Sequence, residues 1–209
     1  AMTPDVLVLA PAFYEKLGYD RPLYTLAHYG LFKTPLAGTL RKIGVILATR
    51  ENAAKALSSG GVVLVFPGGD YDSYRSTFEQ NIIDFNGRKG YVRTAIEADV
   101  PIVPAVSIGG QETQLFLGRG TRLAKRLGLP KLRTEILPLG VGFPFGVTST
   151  IPANFPLPSK IVHEVLEPIY VVEQFGPNPD VDEVDAYVRQ VMQSALDRLA
   201  KQRRFPVIG

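Results

Sequence analysis

Val62-Val63-Leu64-Val65-Phe66-Pro67-Gly68-Gly69-Asp70 is the stretch from which the architecture can be read. β-Branched and aliphatic side chains in an unbroken run pack well on a pleated surface and predict a buried strand. The run stops at Pro-Gly-Gly, where the chain must turn sharply and where no Cβ atoms keep a ligand from the backbone. Tyr71, Asp72, Ser73, Tyr74 and Arg75 follow at once. A buried strand that hands a glycine turn and then charged groups to a sheet edge is how α/β proteins build binding sites.

Outward from this stretch, strand and helix patterns alternate. Upstream, Arg50–Ser58 reads as a helix ended by Gly60-Gly61, residues 45–48 as a buried strand, and residues 36–43 as a helix closed by Gly44. Leu23–Ala27 is a short strand ending at His28. Thr3-Pro4-Asp5 has the cap, first-turn proline and first-turn acid of a helix start, with the helix running over 6–17 to Gly18. Downstream, residues 88–98 read as a helix and 101–106 as a strand with proline at both shoulders. Residues 136–147 are apolar and punctuated by Gly and Pro, and 160–172 read as a late strand. Over 182–204, Val184, Val188, Val191, Ala195 and Leu199 recur at helical spacing. The expectation is one α/β domain over 1–209, a mixed, largely parallel sheet flanked by helices.

Composition sets the outer limits. The chain has 209 residues, is 45 % hydrophobic and suits a single core. With no cysteine, disulfides and thiolate metal sites are excluded. A formal net charge of +3 without an aromatic-plus-basic signature gives no case for nucleic acid. Apolar runs are broken by Pro or Gly before they reach a bilayer-spanning length. No G-x-S-x-G elbow marks a hydrolase, and Gly68-Gly69 lacks the spacing of a dinucleotide site.

Four ordered blocks give the chain a family likeness: Gly44-Val45-Ile46-Leu47-Ala48-Thr49-Arg50, Phe66-Pro67-Gly68-Gly69, Val100-Pro101-Ile102-Val103-Pro104 and Leu166-Glu167-Pro168-Ile169. Together with Gly90-Tyr91-Val92-Arg93 they resemble the glycerolipid (lysophospholipid-type) acyltransferase superfamily over roughly residues 5–172. Phe-Pro-Gly-Gly stands where most members have Phe-Pro-Glu-Gly, a form similar to the diacylglycerol-acyltransferase-like branch. The resemblance implies acyl transfer from acyl-CoA or acyl carrier protein to a hydroxyl of a glycerolipid or related lipid, as in phospholipid biosynthesis. The thioester would be a co-substrate, with no other cofactor and no metal. It also implies a cytoplasmic protein with membrane association.

In that family an imidazole oriented by the Asp of a His-x4-Asp signature removes the acceptor's proton. Asp5 stands where the motif's Asp would fall, so the resemblance implies a His before residue 1 and a chain missing that N-terminal portion. Asp5 also reads as an ordinary first-turn carboxylate. His28 and His163 have no carboxylate at the family spacing. A non-catalytic lipid- or acyl-binding homologue is therefore the second reading.

The remaining candidates each carry two readings. Arg50 offers a bidentate fork to an acceptor phosphate or hydroxyl, or is a solvated helix-start arginine. Phe66, Pro67, Gly68 and Gly69 form the acceptor-side turn; the N–H groups of Gly68 and Gly69 face an oxyanion or a phosphate, or merely make a tight turn. Asp70 or Asp72 replaces the charge lost with the usual Glu. Arg75 pairs with one of these acids or with a phosphate. Residues 115–133 hold Arg119, Arg122, Lys125, Arg126, Lys131 and Arg133 among leucines, with no acid between Glu112 and Glu135. They suit a peripheral membrane surface or an ordinary solvated face. Phe143-Pro144-Phe145 and Phe155-Pro156-Leu157-Pro158 line an acyl tunnel or form buried loops.

Overall fold

Three short strands whose partners lie far apart in sequence build the central layer. In the computed structural model, which describes Leu9, Pro11, residues 13–15, Gly18 and residues 20–79, 81–128, 136–149, 154–203 and 205, β1 is Leu23–Ala27, β2 Val45–Leu47 and β3 Val62–Leu64. They form one parallel sheet in the order β2-β1-β3, with Thr25 beside Val45 on one side and beside Leu64 on the other. Parallel neighbours need crossovers. Two helices supply them: α1 (Ala37–Lys42) and α2 (Arg50–Ser58). Gly44, at φ 82°, makes the turn into β2.

Beyond β3, α3 (Gly69–Ser73) and α4 (Gly90–Ala98) lead to β4 (Ala105–Ile108). Next come β5 (Leu115–Gly118), α5 (Thr121–Arg126), β6 (Leu139–Gly142) and β7 (Gly146–Thr148). β8 (Val162–Val165), α6 (Val171–Phe175) and α7 (Val181–Gln202) close the chain. β4 pairs antiparallel with β8, and β5, β6 and β7 form an antiparallel three-stranded sheet. The fold is mixed α/β as expected, with its parallel part, among the described residues, confined to the β2-β1-β3 sheet.

Several expected boundaries move for identifiable reasons. The strand expected over 101–106 begins at Ala105, because Pro101 and Pro104 bring no N–H to a ladder; Ile102 keeps an isolated bridge to Ile169. The late strand expected over 160–172 ends at Val165. Pro168 interrupts the pairing, and residues 171–175 turn into α6 because buried Val171 joins a helical core. Leu9, Pro11 and residues 13–15 are helical, in line with the expected opening helix, whose first residues lie outside the described ones.

Two clusters hold the layers together. Val92, Ile169, Val171, Val184 and Val188 join α4, α6 and α7, each fully buried valine contributing about 1.5–3 kcal/mol. Leu9, Phe13 and Leu64 pack with Leu23, Ala105 and Val165, which docks the β4-β8 pair against the parallel sheet. Within the first seam, the Tyr91 hydroxyl donates to Asp185 Oδ1 at 2.9 Å and Arg189 Nε donates to Asp185 Oδ2 at 2.9 Å. Burial, then the Asp185 hydrogen bond, pushes the Tyr91 hydroxyl well above its usual pKa. Lys89 Nζ reaches exposed Asp182 at 2.8 Å, and this hydrogen bond holds the Asp182 carboxyl below its usual range.

Candidate active site at the carboxyl edge of the parallel sheet

Because β1, β2 and β3 all run the same way, their carboxyl ends lie on one edge. Each strand delivers a different piece of chemistry there. β1 is the central strand, and His28 follows it. β2 leads to Ala48, Thr49 and Arg50, and β3 leads to the Phe66–Gly69 turn. The order β2-β1-β3 thus sets His28 between the arginine and the glycine turn, at the kind of edge where α/β sheets bind ligands.

The β2 end is built for a fixed backbone. Thr49 caps α2, its Oγ1 accepting from Asn52 N at 3.2 Å, and Asn52 Nδ2 donates back to Leu47 O at 3.0 Å. Arg50 is the first helical residue, and its side chain is exposed without an ion pair among the described residues. It is the cation of this edge that stands open to an oxyanion. His28 is exposed too. Its Nδ1 accepts from Gly30 N at 3.2 Å, so the neutral ring carries its proton on Nε2. In that state His28 presents a hydrogen-bond donor outward rather than a base.

The β3 end is tight. Phe66 is exposed while Gly68 is buried. A Cβ at Gly68 would overlap the Asp72 Cβ, so a Glu here requires a different path for α3. Gly69 sits at φ 53°, and a Cβ there would lie 2.6 Å from Arg88 Nη1. Arg88 Nη1 in turn donates to Gly68 O at 2.9 Å. No local signal announces this tie, since Arg88 is 20 residues away and enters through a loop.

Arg75 is buried, at 3 % exposure. Its Nη2 pairs with Asp72 Oδ1 at 2.8 Å and donates to Asp84 O at 3.4 Å, and its Nη1 donates to Ile82 O. Of the two roles expected for it, pairing with an acid is the one found, and the guanidinium is turned inward from solvent. Asp72 is correspondingly engaged. Asp70 lies in the first turn of α3. Asp5 lies outside the described residues.

Other expected participants sit elsewhere. His163 is in β8 opposite Ser107, on a different sheet. Arg119 is drawn onto α3: its Cζ lies 3.8 Å from the Tyr71 ring centre, its Nε donates to Tyr71 O at 3.0 Å, and Nη1 is 3.5 Å from Glu79. Tyr74 packs edge-on against Phe116 at 5.6 Å. The helix after the glycine turn is thereby fastened to the β5-β6-β7 sheet.

Beside β2 lies an open cleft of about 660 Å³. Tyr24, Phe32, Ile46 and Ala56 give it apolar walls, and Lys33, Arg41 and Lys55 are its cations. Tyr29, Leu47 and Asn52 also line it. These three flank His28 and Thr49 in sequence, so the cleft adjoins the carboxyl edge. Lys33 stacks on Tyr29 and Arg41 on Phe32. Among the described residues no cluster suited to a metal ion occurs, and no helix is long and apolar enough to cross a membrane.

The acyltransferase family model matches residues 2–108, just over half of the chain. An uncharacterized protein of Mycobacterium tuberculosis is 32 % identical over 207 residues, covering 96 % of this chain and 55 % of the relative. The mouse protein named "DGAT1/2-independent enzyme synthesizing storage lipids" is 32 % identical over 159 residues, 76 % of this chain and 46 % of its own length. The human protein of that name is 31 % identical over the same share of this chain and 47 % of its own. The chain thus spans about half the length of the curated relatives it matches. No solved structure matches it.

Proposed function

The chain belongs to the acyltransferase family, and from that premise we propose that the carboxyl edge of its parallel sheet is where an acyl group passes from a thioester, acyl-CoA or acyl-carrier protein, to a hydroxyl of a glycerolipid-type acceptor. The observation that carries this is the convergence of His28, Thr49-Arg50 and Phe66–Gly69 on one edge, imposed by three parallel strands. Similarity to enzymes named for storage-lipid synthesis supports a lipid acceptor.

In the proposed step the acceptor oxygen attacks the thioester carbonyl. A C–O bond forms, the C–S bond breaks, and the thiol leaves with the proton that the hydroxyl gives up. Arg50 binds an anionic group of the acceptor through its guanidinium fork. The Gly68 N–H and the His28 Nε2–H face the carbonyl oxygen as charge develops on it, a role for which preorganised donors are well suited, while the Gly69 N–H closes the turn on Phe66 O at 3.0 Å. The cleft beside β2 seats the donor, its acyl or pantetheine part against Tyr24 and Phe32 and its phosphates against Lys33, Arg41 and Lys55. Asp5 has the role of the carboxylate that orients the family's base. Arg122, Lys125 and Arg126 turn a cationic face toward an anionic lipid surface, from which the acceptor is drawn at the cytoplasmic side.

One observation favours a second reading. His28 and His163 are the two histidines of the 209 residues; one presents a donor outward and the other lies on another sheet. The chain would then bind acyl ligands without turnover. Thiol release from palmitoyl-CoA with a monoacylglycerol acceptor separates the two readings. Sustained release that depends on acceptor supports transfer and refutes the binding-only reading; saturable palmitoyl-CoA binding without release does the reverse.

A further inference from the structure

The β5-β6-β7 sheet has two unlike faces. Phe116 points to the side where Tyr74 covers it. Leu115, Val141 and Val147 stand in register across the three strands on the other side, and Leu117 lies at the register shift after Phe116. This second face is open: Leu117 is 54 % exposed and Val147 67 %. At the hairpin end the apolar surface continues through Phe143, Phe145 and Phe155, of which Phe143 reaches 73 % exposure. Soluble proteins rarely leave so many large apolar side chains together in water unless something covers them.

The phenyl groups are held out rather than left loose. Asn154 Oδ1 accepts from Phe145 N at 3.0 Å, and its Nδ2 donates to Gly146 O at 2.9 Å and to Thr148 Oγ1 at 3.3 Å. Phe155 N donates to Phe143 O at 2.8 Å, which sets the two rings 6.2 Å apart. One side chain therefore fixes the hairpin end and brings Phe155 beside it.

Cations stand at the opposite end of the same strands. Leu137 N donates to Arg119 O at 3.0 Å, so α5 starts where β6 begins, away from the Gly142–Gly146 hairpin. Ala124 is the buried residue of α5, while Arg122, Lys125 and Arg126 are exposed with Leu123 and Leu127. These cations have no ion pairs among the described residues. Four strand residues separate them from the hairpin, about 13 Å. That distance matches an apolar end sunk about 5–10 Å below the headgroups with the cations left at headgroup level.

We propose that the outer face of β5-β6-β7, led by Phe143, Phe145 and Phe155, inserts into an anionic lipid leaflet while Arg122, Lys125 and Arg126 hold the headgroups. This deepens the lipid-surface reading above by naming the inserting element, and it is independent of whether the carboxyl edge transfers acyl groups. Charge complementarity selects the occupant: an apolar face with Arg122, Lys125 and Arg126 exposed at one end, without ion pairs among the described residues, fits anionic lipid.

The chain contains no tryptophan, so Phe145→Trp introduces a single reporter with little change of shape. The probe is vesicles of phosphatidylcholine with phosphatidylglycerol in equal parts, against phosphatidylcholine alone, without acyl donor. The expected result is a blue shift of emission and co-sedimentation on the anionic vesicles, weakened by salt. Phe143→Asp with Phe145→Asp should abolish sedimentation. Arg122→Glu, Lys125→Glu and Arg126→Glu together should lower anionic-vesicle affinity roughly 100-fold. An emission maximum indifferent to vesicles, or sedimentation untouched by the aspartates in a variant whose circular dichroism is unchanged, overturns the proposal. So does an emission shift that tracks protein concentration without lipid, which assigns the face to a second copy. Loss of acyl transfer with vesicle binding intact would count against the edge reading alone.

Discussion

The turn after β3 and the hairpin between β6 and β7 are both short, glycine-containing reversals, yet they are built in opposite ways. The first is anchored from inside. Buried Arg75 gathers Asp72 and the carbonyls of Ile82 and Asp84, Arg88 holds Gly68 O, and the glycines leave no room for a Cβ. The second is clamped from one side by Asn154 and sends its phenyl groups outward. A reversal that must present backbone to a reacting group requires rigidity, and its charges are used to obtain it. A reversal that must meet a soft apolar phase only has to keep its side chains pointing outward.

Variants that break this contrast should differ in size and in readout. Arg75→Ala strands two carbonyls and removes the partner of Asp72; it should lower unfolding stability by about 3 kcal/mol in urea titration. Asn154→Ala removes hydrogen bonds at a solvated hairpin and should cost about 1 kcal/mol, while vesicle sedimentation weakens because Phe143 and Phe155 are no longer held together. Arg50→Ala should shift stability by less than about 0.5 kcal/mol and still reduce acyl transfer or ligand affinity about tenfold or more, the loss of one charge-assisted contact. A large stability loss for Arg50→Ala would make it part of the turn's scaffold instead.

The smallest effect concerns Asp182, which is common to neither reversal. Its carboxyl sits below its usual pKa in the folded chain. A depressed folded value means that its contribution is present above the unfolded pKa and fades as pH falls through the folded one. Asp182→Asn should therefore lose a little stability at neutral pH and none at the acid limit, which flattens the acid side of the profile slightly. A variant whose acid limb is identical to the parent's would show that the Lys89 contact is without thermodynamic weight.

Much of the parallel layer is legible in the sequence because local signals agree there. Leu23–Ala27 and Arg50–Ser58 fall where β-branched content, Thr49 and the following glycines place them. The edge that collects His28, Arg50 and Phe66–Gly69 also follows from the strand–helix alternation. What stayed hidden depends on distant partners. α3 is five residues of Gly-Asp-Tyr-Asp-Ser with no apolar period, and it is secured by Arg75 and Arg119 from elsewhere. Arg119 reads as one more cation of a basic stretch until Tyr71 and Glu79 are seen beside it. Leu115, Val141 and Val147 form a face only once the strands are in register.

The most direct test of the carboxyl edge is photo-crosslinking with an acyl-CoA carrying a diazirine on its acyl chain, followed by peptide mapping. It does not require turnover. The result expected is labelling within residues 24–33, 46–52 and 66–69, suppressed by unlabelled palmitoyl-CoA and reduced in Arg50→Ala. Competable labels confined to β4, β8 or α7, with none at the carboxyl ends of β1, β2 and β3, would contradict it.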